Sequence, residues 1–341
     1  MSIAQAGGPG QTLGRPAPGR QGIAVIYSQR FRASLAALAA VACGVAHAAK
    51  ASPLADVTID DTNVYPESIS SSADGTLFSG SVKGIIYRAT PGSPRAEPWI
   101  KPDEDNGLLS VFGVLADERA GTLWVCSTPS PLRNPPSVGT SSVVAFDLRS
   151  GKLKGAYPLP APASVCNDIA IDRTGAAFAS DTQNGRILKL ARGAKALEVF
   201  ADDARLKGID GLVFDTDGTL YVNIVTQGLL LRVDRNRDGS AGTITQLMTS
   251  GALRGPDGFR LIRKHTFMLA EGTGARIDEA TISADQVALR VLREGLNSPT
   301  AVTLIGDTVY CNEGKIGYLI DPKLKGQDPG PFVLHAVPLG H

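Results

Sequence analysis

The sequence predicts an all-β chain: a six-bladed β-propeller with four-stranded antiparallel blades around a central channel. Three observations predict it. A short turn followed by a strand recurs six times along the 341 residues. A strand-like segment precedes each turn, and in most units another follows. Outside one run near the N-terminus, no segment sustains a 3.6-residue apolar period, which disfavours Rossmann and barrel folds.

Taken in chain order, residues 1–48 stand apart. They carry Arg15, Arg20, Arg30 and Arg32 and no acid. Arg30 and Arg32 precede the apolar run ASLAALAAVACGVA, and Ala46 and Ala48 offer small residues at the −3 and −1 positions of a cleavage site. The run is about 14 residues long, short for a bilayer span. The segment reads as a signal peptide with an N-terminal extension, cleaved near Ala48, and points to a periplasmic or secreted protein. Lipoprotein processing at Cys43 ranks below it.

Residues 49–341 form the expected propeller domain. The turn phrases are DGTLFSG from Asp74, AGTLWVC from Ala120, TGAAFAS from Thr174, DGTLYVN from Asp217, KHTFMLA from Lys264 and GDTVYCN from Gly306. Their starts lie 42 to 54 residues apart, within or near the range of propeller blades. Asx-Gly dipeptides between alternating runs are strong hairpin signals. A ring of blades must close, and FVLHAV near the C-terminus or LADVTID from Leu54 is expected to supply the closing strand.

Without residues 1–48 the chain carries 30 basic and 33 acidic residues. No basic stripe points to nucleic acid. Cleavage near Ala48 leaves Cys126, Cys166 and Cys311, whose spacing matches no metal motif. An odd count permits one intrachain disulfide at most; buried structural cysteines are the expectation. His265 falls in a turn, and His335 and His341 lie near the C-terminus, so no histidine has a register that argues for catalysis.

The mouths of the innermost strands carry the chemistry. Glu67, Asn167, Asp210 and Asp257 each lie eight residues before the turn glycine or its substitute (Gly75, Gly175, Gly218, His265). In blade 2 that offset lands on Gly113, and in blade 6 a shorter strand leaves Thr300. Equal offsets in equivalent blades are expected to converge on the channel axis. Three carboxylates facing one another repel, and a divalent cation held among Glu67, Asp210, Asp257 and Asn167 relieves that. Oxygen ligands alone favour Ca²⁺, with Mg²⁺, Mn²⁺ or Zn²⁺ as alternatives.

These motifs resemble the gluconolactonase/regucalcin (senescence marker protein) family of six-bladed propellers, from about Tyr65 to about Asp321. CNDIAIDRTGAAFAS in blade 3 and GPDGF in blade 5 carry the likeness. The resemblance implies one divalent ion held by Glu67, Asp210 and Asp257. It implies that Asn167 touches the substrate or a metal-bound water, and that Asp257 is the catalytic base. Where the family has Glu-Gly-Pro this chain has PESIS, and the family's substrate-binding arginine has no counterpart in ASVCND. The expectation is an exported, metal-dependent hydrolase of the lactonase type, acting on a small lactone or ester. A phosphotriesterase or arylesterase at the same site and a non-enzymatic binding propeller with a structural metal are the alternatives.

Overall fold

A computed structural model describes residues 55–340; the expected signal segment lies outside them. The fold is the predicted propeller, with six blades in a ring. The innermost strands are Pro66–Ser71, Ser110–Asp117, Cys166–Ile171, Ile209–Phe214, Pro256–Arg263 and Pro299–Ile305. Each packs against the next around the axis, and the last packs against the first. Hydrophobic alternation and tight turns dictate this local order. The second strands LFSGS, AFASD and LYVNI are buried along their whole length, because a blade's middle has neighbours on both faces.

One apolar cluster fills each gap between adjacent blades. Both segments named for closure are used. Val57–Ile59 pairs antiparallel with Phe332–Pro338 as the outermost strand of blade 6. It also runs parallel to Arg95–Ile100 of blade 1, so the N-terminal strand stitches the last blade to the first.

Two expectations need correction. Cys126 and Cys166 are not separate buried thiols but a disulfide, with Cα atoms 5.1 Å apart. They belong to adjacent blades, 2 and 3, and only the packing of those blades brings them together. Cys311 is free and buried. The blade-2 offset is also one residue out. Ala116 pairs with Leu123 across the turn of blade 2, whereas Ile171 pairs with Ala177 in blade 3. The blade-2 turn is therefore one residue longer, and Phe112 rather than Gly113 holds the mouth position.

Candidate functional site

Every innermost strand carries a β-bulge at its mouth. The register shifts fall between Pro66 and Ser68, Val111 and Val114, Cys166 and Ile169, Ile209 and Leu212, Pro256 and Phe259, and Pro299 and Val302. The bulged residues include Glu67, Phe112, Asn167, Asp210, Asp257 and Thr300. A bulge breaks the two-residue alternation and re-aims a side chain. Six in one register turn the start of each inner strand to the same end of the channel.

Small residues after the bulge permit the close approach this requires. A Cβ on Gly211 would lie 2.6 Å from the carbonyl oxygen of Asp257, and one on Gly258 2.6 Å from the Cα of Ala301. In blades 3, 4 and 6 the second strand then braces the bulge. Ser180 Oγ accepts the Asp168 N–H (2.9 Å), Asn223 Oδ1 the Gly211 N–H (3.1 Å) and Asn312 Oδ1 the Ala301 N–H (2.8 Å). Sequence reasoning passed over these residues. Their signal was present, because each is the seventh residue of its turn phrase.

The structure brings the four named residues together at the front mouth. Asn167 Nδ2 donates to Asp210 Oδ2 at 2.9 Å. The Asp210 and Asp257 carboxyls lie close enough for each to influence the other. Glu67 lies close enough to feel Asp210, and its Oε2 is buried with no hydrogen-bond partner. Asp210 is buried, whereas Glu67, Asn167 and Asp257 keep partial solvent contact.

The electrostatics follow from that crowding. Burial pushes Asp210 up to about 7, with the charge of Asp168 adding to it; hydrogen bonds to Asp257 and Asn167 and the charge of Arg260 oppose the shift. Burial, then Asp210, holds Glu67 well above the usual carboxylate range. Burial, then Asp210 and Glu67, does the same for Asp257. All three shifts report charge that the protein itself leaves uncompensated.

One ion pair lies behind this cluster. The Arg260 guanidinium forks onto Asp168, with Nη1 2.6 Å from Oδ2 and Nη2 2.8 Å from Oδ1. Asp168 follows Asn167 in the chain, and Arg260 lies three residues past Asp257. The sequence reading carried neither forward, although an arginine interrupting the apolar run GFRLI was a visible anomaly. Arg260 also lines an axial cavity of about 460 Å³ that opens at the opposite, rear end, between walls such as Leu115, Ile169, Leu212 and Leu304. The cavity is mainly apolar and stands away from the carboxylates, so space and charge sit at different ends of the channel.

A second group of potential metal ligands lies on the rear face. Asp215, Asp217 and His265 place one ligand atom each within 4.8 Å of one another; among the described residues no other such group is drawn so tightly, and the front carboxylates are spread more widely. His265 Nδ1 sits 2.7 Å from Asp215 Oδ2, and the His265 N–H also reaches that carboxylate. Buried Asp215 thereby holds the blade-5 turn, where His265 adopts φ +60°.

No protein-family model matches the chain, and no curated protein matches its sequence. Solved structures do match. A gluconolactonase from Xanthomonas campestris superposes with a TM-score of 0.59 at 16% identity, over 84% of this chain and 88% of that one. A luciferin-regenerating enzyme gives 0.59 at 14%, over 84% and 94%. Virginiamycin B lyase from Staphylococcus aureus gives 0.55 at 13%, over 84% and 98%. At these identities the likeness is one of fold, and the gluconolactonase among the neighbours stands in the family that the blade motifs resemble.

Proposed function

We propose that the protein is a divalent-metal-dependent hydrolase of the lactonase type, with its site at the front mouth. One observation carries the reading: the buried, unpartnered Oε2 of Glu67 in a cluster with Asp210 and Asp257. A buried carboxylate oxygen without a donor is costly. That oxygen, in a cluster of three carboxylates, makes a site that fits a hard divalent ion, Ca²⁺ first by its all-oxygen donors. Glu67, Asp210 and Asp257 would hold the ion, which would supply Lewis-acid polarisation of an ester carbonyl and acidify nearby water.

The chain's own residues do the rest. Asn167 keeps one amide hydrogen on Asp210 and thereby presents its carbonyl oxygen in a fixed direction to substrate or water. Asp257 keeps partial solvent contact and is the candidate base that removes a proton from the attacking water. Phe112 borders the same mouth and packs against the cluster between blades 2 and 3, offering an apolar edge to a substrate. A histidine-based elimination is less well supported. A histidine variant of the lyase neighbour is catalytically inactive, whereas here His265 is engaged with Asp215 on the rear face and His335 lies between Asp56 and Glu313.

Export belongs to the same reading. The N-terminal segment argues for it, and the Cys126–Cys166 disulfide suits an oxidising compartment. Among the described residues no helix is long and apolar enough to cross a membrane. The deciding experiment is a metal-by-metal hydrolysis screen over sugar lactones, aryl esters and phosphotriesters. Turnover that chelation abolishes and one cation restores is the expected result. Metal-loaded protein that turns over none of these compounds leaves a binding propeller as the better reading.

A further inference from the structure

Asp168 and Arg260 have more to do than fill the channel. Asp168 is buried and receives four donors: the Arg260 Nη1 and Nη2 atoms, the Ile169 N–H at 2.8 Å and the Leu212 N–H at 3.4 Å. These donors come from blades 3, 4 and 5, the blades that carry Asn167, Asp210 and Asp257. Asp168 adjoins Asn167, Leu212 is two residues past Asp210, and Arg260 is three past Asp257. Arg260 is nearly buried as well. Beyond Asp168, its Nη1 reaches the Phe259 carbonyl oxygen at 2.9 Å, and its Nε is buried without a partner.

An arginine so placed has two carboxylate claimants. Its charge is felt at Asp210, one blade away from the residue that holds it. A guanidinium turned onto Asp210 would neutralise the cluster from within and compete with any divalent ion, since both are attracted by the same oxygens. The bidentate fork onto Asp168 prevents this by geometry, because planar two-point pairing is the strongest hold a carboxylate has on arginine.

We propose that Asp168 and Arg260 form a charge lock behind the front mouth: Asp168 sequesters the guanidinium, so that Glu67, Asp210 and Asp257 keep the negative charge that a divalent cation requires. Asp168 and Arg260 are positioning residues in this scheme, acting through Asp210. The cation part of the proposal rests on the reading given under Proposed function; the sequestering of Arg260 does not.

The test uses the full mature chain and two readouts. Calorimetric titration with Ca²⁺, Mg²⁺ and Mn²⁺ measures affinity, and crystal structures of chelated protein locate the guanidinium. Asp168→Asn frees Arg260; we expect its guanidinium to move onto Asp210 and the affinity to fall at least tenfold. Asp168→Asn combined with Arg260→Met removes both charges; we expect affinity within about threefold of wild type, which a merely structural role for the pair would not restore. A thermal melt confirms that each variant folds. An Asp168→Asn protein whose guanidinium stays in place, or whose affinity matches wild type, overturns the lock, as does a double variant as weak as the single one. If wild type binds no cation while the guanidinium still swings in Asp168→Asn, the lock stands and the metal reading falls.

Discussion

Two buried acids, 29 residues apart in sequence, show how the protein separates scaffold from site. Asp181 closes the second strand of blade 3 and is fully buried. It is saturated: the Val165 N–H, the Asn184 amide and the Arg186 guanidinium all donate to it. Glu271 in blade 5 and Glu313 in blade 6 repeat the device, accepting the N–H of Arg254 and of Asn297 just before the inner strand of the same blade. Asp210 is buried to a similar degree, yet it faces one amide and two further acids. Burial is common to both regions, and the supply of donors differs. Where donors match acceptors, a buried charge fixes the geometry; where they do not, the chain leaves it uncompensated.

The largest expected effect falls on the site side. Asp257→Asn keeps size and one oxygen ligand but removes a charge and the candidate base. Turnover should drop on the order of 10²–10⁴-fold, while metal affinity weakens modestly. Excess metal should restore occupancy and not rate. Glu67→Gln, as a pure ligand change, should recover most of its activity at saturating metal. Steady-state kinetics over a metal series separate the two, and an unchanged rate in Asp257→Asn removes that residue as base.

On the scaffold side, Cys126→Ser should cost stability without changing the chemistry. The bridge closes a 40-residue separation, for which the chain-entropy account gives about 4 kcal/mol. Denaturant melts of Cys126→Ser and of the reduced wild type should agree. Because Cys166 adjoins Asn167, a loss of activity in the folded variant would show that the bridge belongs to the site as well.

The comparison itself is tested by exchanging the same group in each region. Asp181→Asn leaves the Arg186 guanidinium short of its counter-charge and should destabilise by about 3 kcal/mol. Asp210→Asn removes repulsion, so the chelated protein should be as stable as wild type or more so near pH 7, while cation affinity collapses. Equal destabilisation by both changes would erase the distinction drawn between the two acids.

The pH response sharpens it further. Asp210 is raised from 3.8 to about 7, so the folded protein holds a proton that the unfolded chain has released. Stability therefore falls as pH rises between those values. The melting temperature of chelated protein should decline from pH 5 to pH 8, the decline should shrink in Asp210→Asn, and added cation should raise it more at pH 8 than at pH 5. The smallest effect is reserved for Asp278, which burial and the neighbouring Glu271 push to about 7. Asp278→Asn should raise the melting temperature slightly at pH 8 and little at pH 5.

The sequence by itself determined the blades. Hairpin turns and two-residue alternation are local signals, and their sixfold recurrence gave the architecture, the closing segments and the mouth residues Glu67, Asn167, Asp210 and Asp257. The offset rule failed at Phe112 because a turn one residue longer is invisible without the partner strand. Only the tertiary structure decided what crosses between blades. The Cys126–Cys166 bridge, the hold of Asp168 on Arg260 and the Asn167–Asp210 hydrogen bond join residues 40 to 92 positions apart. No local pattern encodes such pairs. They exist because the closed ring sets the distance between neighbouring inner strands, and the bulges choose which side chains meet across it.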